Sequence, residues 1–186
     1  MKTYKNIIDK HLDEHIGISN HLYDYFPDIF KIVALIKKTA KNNKIFLIGN
    51  GGSAADCDHF ATELIVKYKK VRKAIPAISL SNNGPLITAN SNDFSFDTIF
   101  ERQLEALAKK NDLLVAISTS GRSKNIIKSI EYAKKNNLNI ISLTGIKKNI
   151  LHEKSDICIK VNSRKTSIIQ EIHIIIIHLI CELLDR

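Results

Sequence analysis

His59 and Glu63 stand four residues apart in a stretch with helical spacing. That spacing puts an imidazole and a carboxylate on one helix face, about 40° apart around the axis. Such a pair can move protons or share a metal ion, although His-xxx-Glu is also a common surface pair. Further on, Gln170, Glu171, His173 and His178 interrupt a run that is otherwise almost wholly apolar. One satisfied core histidine is the usual account of one such residue. Several together read better as a polar stripe, because each costs free energy unless partnered. His173 and His178 are five apart and do not share a face. On a regular helix Gln170 and His178 are about 12 Å apart along the axis, so one metal ion is barely reached by both. Either the helix breaks near Gln170, or the two come from different subunits, or they are not both ligands.

Two segments are rich in hydrogen-bond donors. Gly49-Asn50-Gly51-Gly52-Ser53-Ala54-Ala55-Asp56 joins an apolar run to a helical pattern. Its glycines let the backbone turn sharply and approach a ligand, and the helix start offers unpaired N–H groups to an anion. No Gly-Lys-Ser/Thr follows, so this is not a Walker loop, and it is not a dinucleotide GxGxxG. Ser118-Thr119-Ser120-Gly121-Arg122-Ser123 carries four hydroxyls in six residues. Ser123 alone would serve as an N-cap. Four hydroxyls exceed what a cap needs and can grip one phosphate, backed by a helix dipole. A third polar segment, Asn90-Ser91-Asn92-Asp93, reads on its own as a turn.

These residues must be positioned by strands and helices. Ile8, Leu12 and Ile16 recur every four residues, and Pro27-Asp28 opens a second helical pattern carrying Ile29, Ile32, Val33 and Ile36. From residue 44 short apolar runs alternate with helical stretches. The runs are Lys44–Gly49, Ala77–Leu80, Leu113–Ile117, Ile140–Leu143 and a weaker Ile157–Val161. That alternation predicts a parallel sheet covered on both faces: a three-layer αβα sandwich with an N-terminal helical hairpin. Ligands are then expected outside the carboxyl ends of the strands. With no linker or repeat, we expect a single domain over residues 1–186, the first 42 being the N-terminal helices. The helix after residue 167 is apolar nearly all round and must be buried, in the core or between subunits.

Composition narrows the function. With 25% charged and 44% hydrophobic residues the 186-residue chain is an ordinary globular one. No stretch of about 18 charge-free apolar residues marks a membrane span, and the N-terminus does not look like a secretory signal. The net charge of +9 comes from 23 lysines against five arginines, scattered in pairs. That reads as a solvated lysine surface, not a nucleic-acid face, and gives at most a mild pull on a phosphorylated small molecule. Three cysteines without CxxC spacing fit a reducing cytoplasm.

Taken together, the motifs resemble the SIS (sugar isomerase) domain family and, within it, the phosphoheptose isomerases. The resemblance covers essentially the whole chain. It is carried by Gly49-Asn50-Gly51-Gly52-Ser53, His59-Phe60-Ala61-Thr62-Glu63-Leu64, Pro76-Ala77-Ile78 and Asn92-Asp93-Phe94. Ser118-Thr119-Ser120-Gly121, Leu143-Thr144-Gly145 and Gln170-Glu171-Ile172-His173 with His178 complete it. It implies a five-stranded parallel sheet, a homotetramer with active sites between subunits, and isomerisation of sedoheptulose 7-phosphate to D-glycero-D-manno-heptose 7-phosphate for lipopolysaccharide or capsule. By the same resemblance Glu63 and His178 are the acid–base pair. His59, Glu63, Gln170 and His178 match zinc-binding positions, with one zinc per subunit. Asn50, Gly51, Gly52, Ser53, Glu63, Asn92, Asp93, Ser118, Thr119, Ser120, Ser123 and Gln170 match substrate contacts. Three positions depart from the pattern: Arg122 where asparagine is usual, and Ile168 and Lys67 where arginine is usual.

Ketose–aldose isomerisation takes a proton from C1 and returns one to C2 through a planar enediol. A carboxylate can carry that proton on one face, and an imidazole can move protons between O1 and O2. Two alternatives stand beside this reading: an isomerase for another sugar phosphate, and a non-catalytic SIS protein that binds a replication initiator or a sugar phosphate. Presence of both Glu63 and His178 favours the enzyme.

Overall fold

The computed structural model describes residues 2–186. Helices α1 (Lys2–Ser19) and α2 (Phe26–Thr39) are followed by β1 (Ile45–Gly49), α3 (Gly52–Ile65), β2 (Ala77–Ser79), α4 (Gly84–Asp93) and α5 (Glu101–Leu107). Then come β3 (Leu113–Ser118), α6 (Lys124–Lys135), β4 (Asn139–Gly145), α7 (Leu151–Lys154), β5 (Ile157–Val161) and α8 (Thr166–Leu184). The five apolar runs are the five strands. They form one sheet in the order β2-β1-β3-β4-β5, parallel throughout.

Side chains alternate across the pleat, which divides the core in two. Ile45, Leu47, Leu113, Val115, Ile117, Ile141, Leu143, Ile159 and Val161 face α2, α3 and α8. Phe46, Ile48, Leu114, Ala116 and Ile140 face α5, α6 and α7. This is the expected three-layer sandwich. Strands buried on both faces carry no polar alternation, which is why they read as continuous apolar runs.

Helix α8 lies on the sheet with α1, α2 and α3 packed around it. Ile168, Ile169, Ile172, Ile176, Ile177 and Ile180 are buried, while Ile174, Ile175 and Leu179 are only partly covered. Its length and apolarity would suffice to cross a membrane, but half of that window is buried within the fold. On α2, the expected Ile29, Ile32, Val33 and Ile36 are buried. The α1 stripe is helical as expected, yet Ile8, Leu12 and Ile16 are 50–58% exposed. The polar face of α1 is the one that docks. His11 Nε2 and His15 Nδ1 lie 2.8 and 2.7 Å from the two oxygens of Glu171, and Glu14 accepts from Ser163 Oγ at 2.9 Å.

Residues 90–93 are not a turn but the last residues of α4. Asn83 accepts from Leu86 N and caps that helix, and Pro85 occupies its first turn. A prearranged start of this kind lets a polar quartet remain helical.

Candidate active site

The carboxyl ends of β1 and β3 open into the glycine and serine segments. Gly49 ends β1 where a Cβ would strike the Ser53 carbonyl, so the chain can fold back only with glycine there. Gly51 has φ +56° and Gly121 φ +61°, the left-handed region that glycine tolerates. A Cβ at Gly121 would also meet the side chain of Asn149. Asn50 and Asn125 exchange two amide hydrogen bonds at 3.0 and 2.9 Å and tie the two segments together. Asn125 is buried, and its position two residues after Ser123 gave no signal of this pairing.

Between the segments lies a cavity of about 320 Å³, lined by Asn50, Gly51, Gly52, Ser53, Ile117, Ser118, Thr119, Ser120, Ser123, Thr166 and Gln170. Every polar side chain in that lining is uncharged. Ser123 is the N-cap of α6 but makes no side-chain cap bond, so its hydroxyl is available to a ligand. Ser118 Oγ accepts from Gly121 N at 3.1 Å, and Ser120 Oγ from Arg122 N at 3.2 Å. A Cβ on Gly52 would strike the Gln170 amide, so these two residues are in close apposition. Thr166 was not picked out from the sequence; it is the first residue of α8, four before Gln170, and shares its face.

A second cluster lies on α3 and α8. His59 Nε2 is 3.0 Å from His178 Nε2 and 3.6 Å from Glu63 Oε1. The Tyr68 ring stacks on His178 with centroids 5.5 Å apart. Burial pulls His178 below the ordinary histidine range, the neighbouring His59 adds to this, and Glu63 opposes it. Asp56, one turn before His59, is raised to about 6, chiefly by burial, with His59 opposing. Its Oδ2 is enclosed without a hydrogen-bond partner. His173 faces away from this cluster into the core. It is fully buried and pushed down to about 4 by that burial, with the Thr144 backbone opposing.

No group of three or more His, Cys, Asp or Glu side chains among the described residues is arranged to hold a metal ion. The local donor chemistry nevertheless suits zinc. Two ligands at about 2.0–2.1 Å in a tetrahedron sit roughly 3.3 Å apart, close to the spacings of His59 with His178 and with Glu63. α8 runs unbroken from Thr166 to Leu184. Gln170 therefore stays at the phosphate-sized cavity, about 12 Å along the helix from His178.

Asn92 and Asp93 are in neither cluster. Asn92 Nδ2 donates to Asp93 Oδ1 at 2.8 Å, and Asp93 lines a separate cavity of about 560 Å³ with Phe94 and Arg102. One protomer thus holds three separate pieces: a neutral anion cradle, an acid–base cluster, and the end of α4.

A model of the SIS domain matches residues 27–145. The chain is 42% identical over 183 residues to a phosphoheptose isomerase from Campylobacter concisus, covering 98% of this chain and 97% of that one. It is 46% identical over 163 residues to a probable phosphoheptose isomerase from Thermoplasma acidophilum, covering 86% and 90%. The chain belongs to the phosphoheptose isomerases of the SIS-domain family. Its fold matches the structure of a phosphoheptose isomerase from Neisseria gonorrhoeae, with TM-score 0.89, 32% identity and coverage of 97% and 98%. A phosphoheptose isomerase from Francisella tularensis matches with TM-score 0.91, 30% identity and 97% of each chain.

Within this family the three unusual residues fall in different settings. Ile168 is buried among α8 core residues, whereas Arg122 and Lys67 are exposed. Ile168 in place of an arginine thus adds to the core, Arg122 in place of an asparagine adds a surface charge, and Lys67 in place of an arginine keeps the charge but loses the planar fork.

Proposed function

We infer that this protein interconverts sedoheptulose 7-phosphate and D-glycero-D-manno-heptose 7-phosphate. The observation that carries the reading is the presence of an uncharged donor cavity, with four hydroxyl residues at the β3–α6 junction, and a His–His–Glu cluster on α3 and α8. Members of the family are sugar-phosphate aldose–ketose isomerases, and the sequence similarity spans nearly the whole chain. The chain forms one domain over residues 1–186.

The hydroxyls of Ser118, Thr119, Ser120 and Ser123 and the backbone of Asn50, Gly51, Gly52 and Ser53 hold the phosphate; Gln170, Asn92 and Asp93 orient the sugar. Glu63 takes a proton from C1 and, after exchange with solvent at the enediol, delivers one to C2. His178, kept mostly neutral by burial, moves a proton between O1 and O2, giving the enediol and then the aldehyde. A positioned acid–base group of this kind contributes about 10²–10⁴-fold.

His59, Glu63 and His178 are the residues that would hold one zinc ion per subunit, with Gln170 supplied by another copy. Zinc bound there would polarise a carbonyl oxygen.

Two features support a shared site in a homotetramer. Gly52 and Glu63 are about 16 Å apart along α3, and Gln170 and His178 about 12 Å along α8. A heptose phosphate held by one protomer's cavity is poorly placed to reach that protomer's own acid–base pair. Tyr4, Ile8, Leu12 and Ile16 of α1 form a stripe 50–74% exposed, suited to burial against other copies. The three free cysteines fit a cytoplasmic protein, and its heptose product suits lipopolysaccharide or capsule assembly.

The test is to incubate the protein with sedoheptulose 7-phosphate, with and without chelator, and follow aldose formation. Turnover abolished in both Glu63→Gln and His178→Gln supports the reading. Conversion unchanged in both variants defeats the assignment of Glu63 and His178, and wild-type protein that binds the sugar phosphate without converting it favours a sugar-phosphate-binding protein.

A further inference from the structure

Helix α3 ends at Ile65 with Val66 as its cap, not the glycine that often closes a helix. Its last carbonyls therefore need donors from elsewhere. Besides the Val66 amide on the Thr62 carbonyl at 2.9 Å and the Ile75 amide on the Leu64 carbonyl at 3.0 Å, Arg72 supplies them. Its Nη2 donates to the Glu63 carbonyl at 2.7 Å and its Nη1 to the Leu64 carbonyl at 2.8 Å. Nη1 also reaches the Lys73 carbonyl at 3.2 Å. Its Nε donates to Asp185 Oδ1 at 3.1 Å. Asp185 is the C-terminal cap of α8, and its other oxygen accepts the amides of Lys69 and Lys70 at 2.7 and 2.8 Å. The two side chains are 13% and 3% exposed, so little water competes for these bonds.

One guanidinium–carboxylate pair thus joins the C-terminal ends of two helices. α3 carries His59 and Glu63, and α8 carries His178. The planar fork fixes direction as well as distance, which an ammonium does not. Lys69 Nζ adds only a half-exposed bond to Glu182 across the same junction.

We propose that Arg72 and Asp185 are positioning residues for the isomerisation, setting the register of α3 against α8 and so the placement of Glu63 relative to His178. The inference rests on the roles given to Glu63 and His178 above. The phosphate cavity lies at the opposite end of both helices, so loss of the clamp affects proton transfer and leaves phosphate binding in place.

Three variants test it: Arg72→Ala, Arg72→Lys and Asp185→Asn, each checked for folding by thermal melting. Steady-state kinetics with sedoheptulose 7-phosphate are paired with inorganic phosphate affinity measured by competition. Arg72→Ala is expected to lower kcat about ten- to hundredfold, the scale of a small misplacement of a reacting group, with KM and phosphate affinity moving less than about twofold. Arg72→Lys keeps the charge but loses the fork, and its kcat stays low. Low millimolar guanidinium ion restores part of the Arg72→Ala rate. The imidazole ¹⁵N–¹H signals of His59 and His178 shift in Arg72→Ala, while those of His21 do not. If Arg72→Ala does not fold, Arg72→Lys and Asp185→Asn carry the comparison. A folded variant with wild-type kcat, or one losing phosphate affinity in step with kcat, overturns the proposal. An inactive wild-type protein that still binds phosphate overturns the assignment of Glu63 and His178 instead.

Discussion

His178 is drawn below the ordinary histidine range by burial and by His59, so it is mostly neutral near pH 7. A neutral imidazole can both accept and give a proton, which the transfer between two sugar oxygens requires. The acid limb of kcat/KM for sedoheptulose 7-phosphate is therefore expected below pH 6.5, in a pH–rate profile at saturating buffer capacity. His173 gives a separate and purely structural effect. Its folded-state pKa of about 4 lies below the unfolded value of 6.5. Between those values the unfolded chain binds the extra proton, so stability is fully present above about 6.5 and falls as pH drops toward 4. The loss is roughly 3 kcal/mol. Urea melts at pH 7 and pH 5 should show this slope, and His173→Leu should flatten it. Both histidines were visible in the sequence as breaks in an apolar run. Which one faces solvent and which the core was not, because helix rotation is set by packing against α2, α3 and the sheet.

At the scale of elements, two loops are shaped by glycines that nothing else can replace. Gly121→Ala would need a left-handed alanine and a displaced Asn149. It should weaken inorganic phosphate binding by about tenfold or more, the worth of one or two charge-assisted hydrogen bonds, as measured by competition. Core burial of α8 is testable in the same way. Ile176 is fully buried between sheet and helices, and Ile176→Ala should cost about 2–5 kcal/mol in urea unfolding. The strands were legible because a sheet covered on both faces demands unbroken apolar runs. The end of α4 was not: Asn90, Ser91, Asn92 and Asp93 are turn formers by type, and the cap at Asn83 that keeps them helical lies seven residues upstream. The Arg72–Asp185 clamp was equally hidden, since its partners are 113 residues apart.

For the whole molecule, the separation of cradle and acid–base cluster within one protomer is what the proposed homotetramer would bridge. The α1 stripe could be read as a helix from its spacing, but the spacing alone could not say that it faces outward. If the proposed homotetramer forms through this stripe, Ile8→Lys with Leu12→Lys should reduce it to smaller multiples of the 21.0 kDa chain in light scattering after size exclusion. It should also lower specific activity while leaving the fold intact by circular dichroism. The central claim is proton transfer by Glu63 through an enediol. It is tested most directly by running the isomerisation in D₂O and reading deuterium at C2 of the heptose by proton NMR. Wild-type protein should place solvent deuterium at C2, and folded Glu63→Gln should give neither product nor exchange. Deuterium at C2 delivered at the wild-type rate by Glu63→Gln would contradict the account.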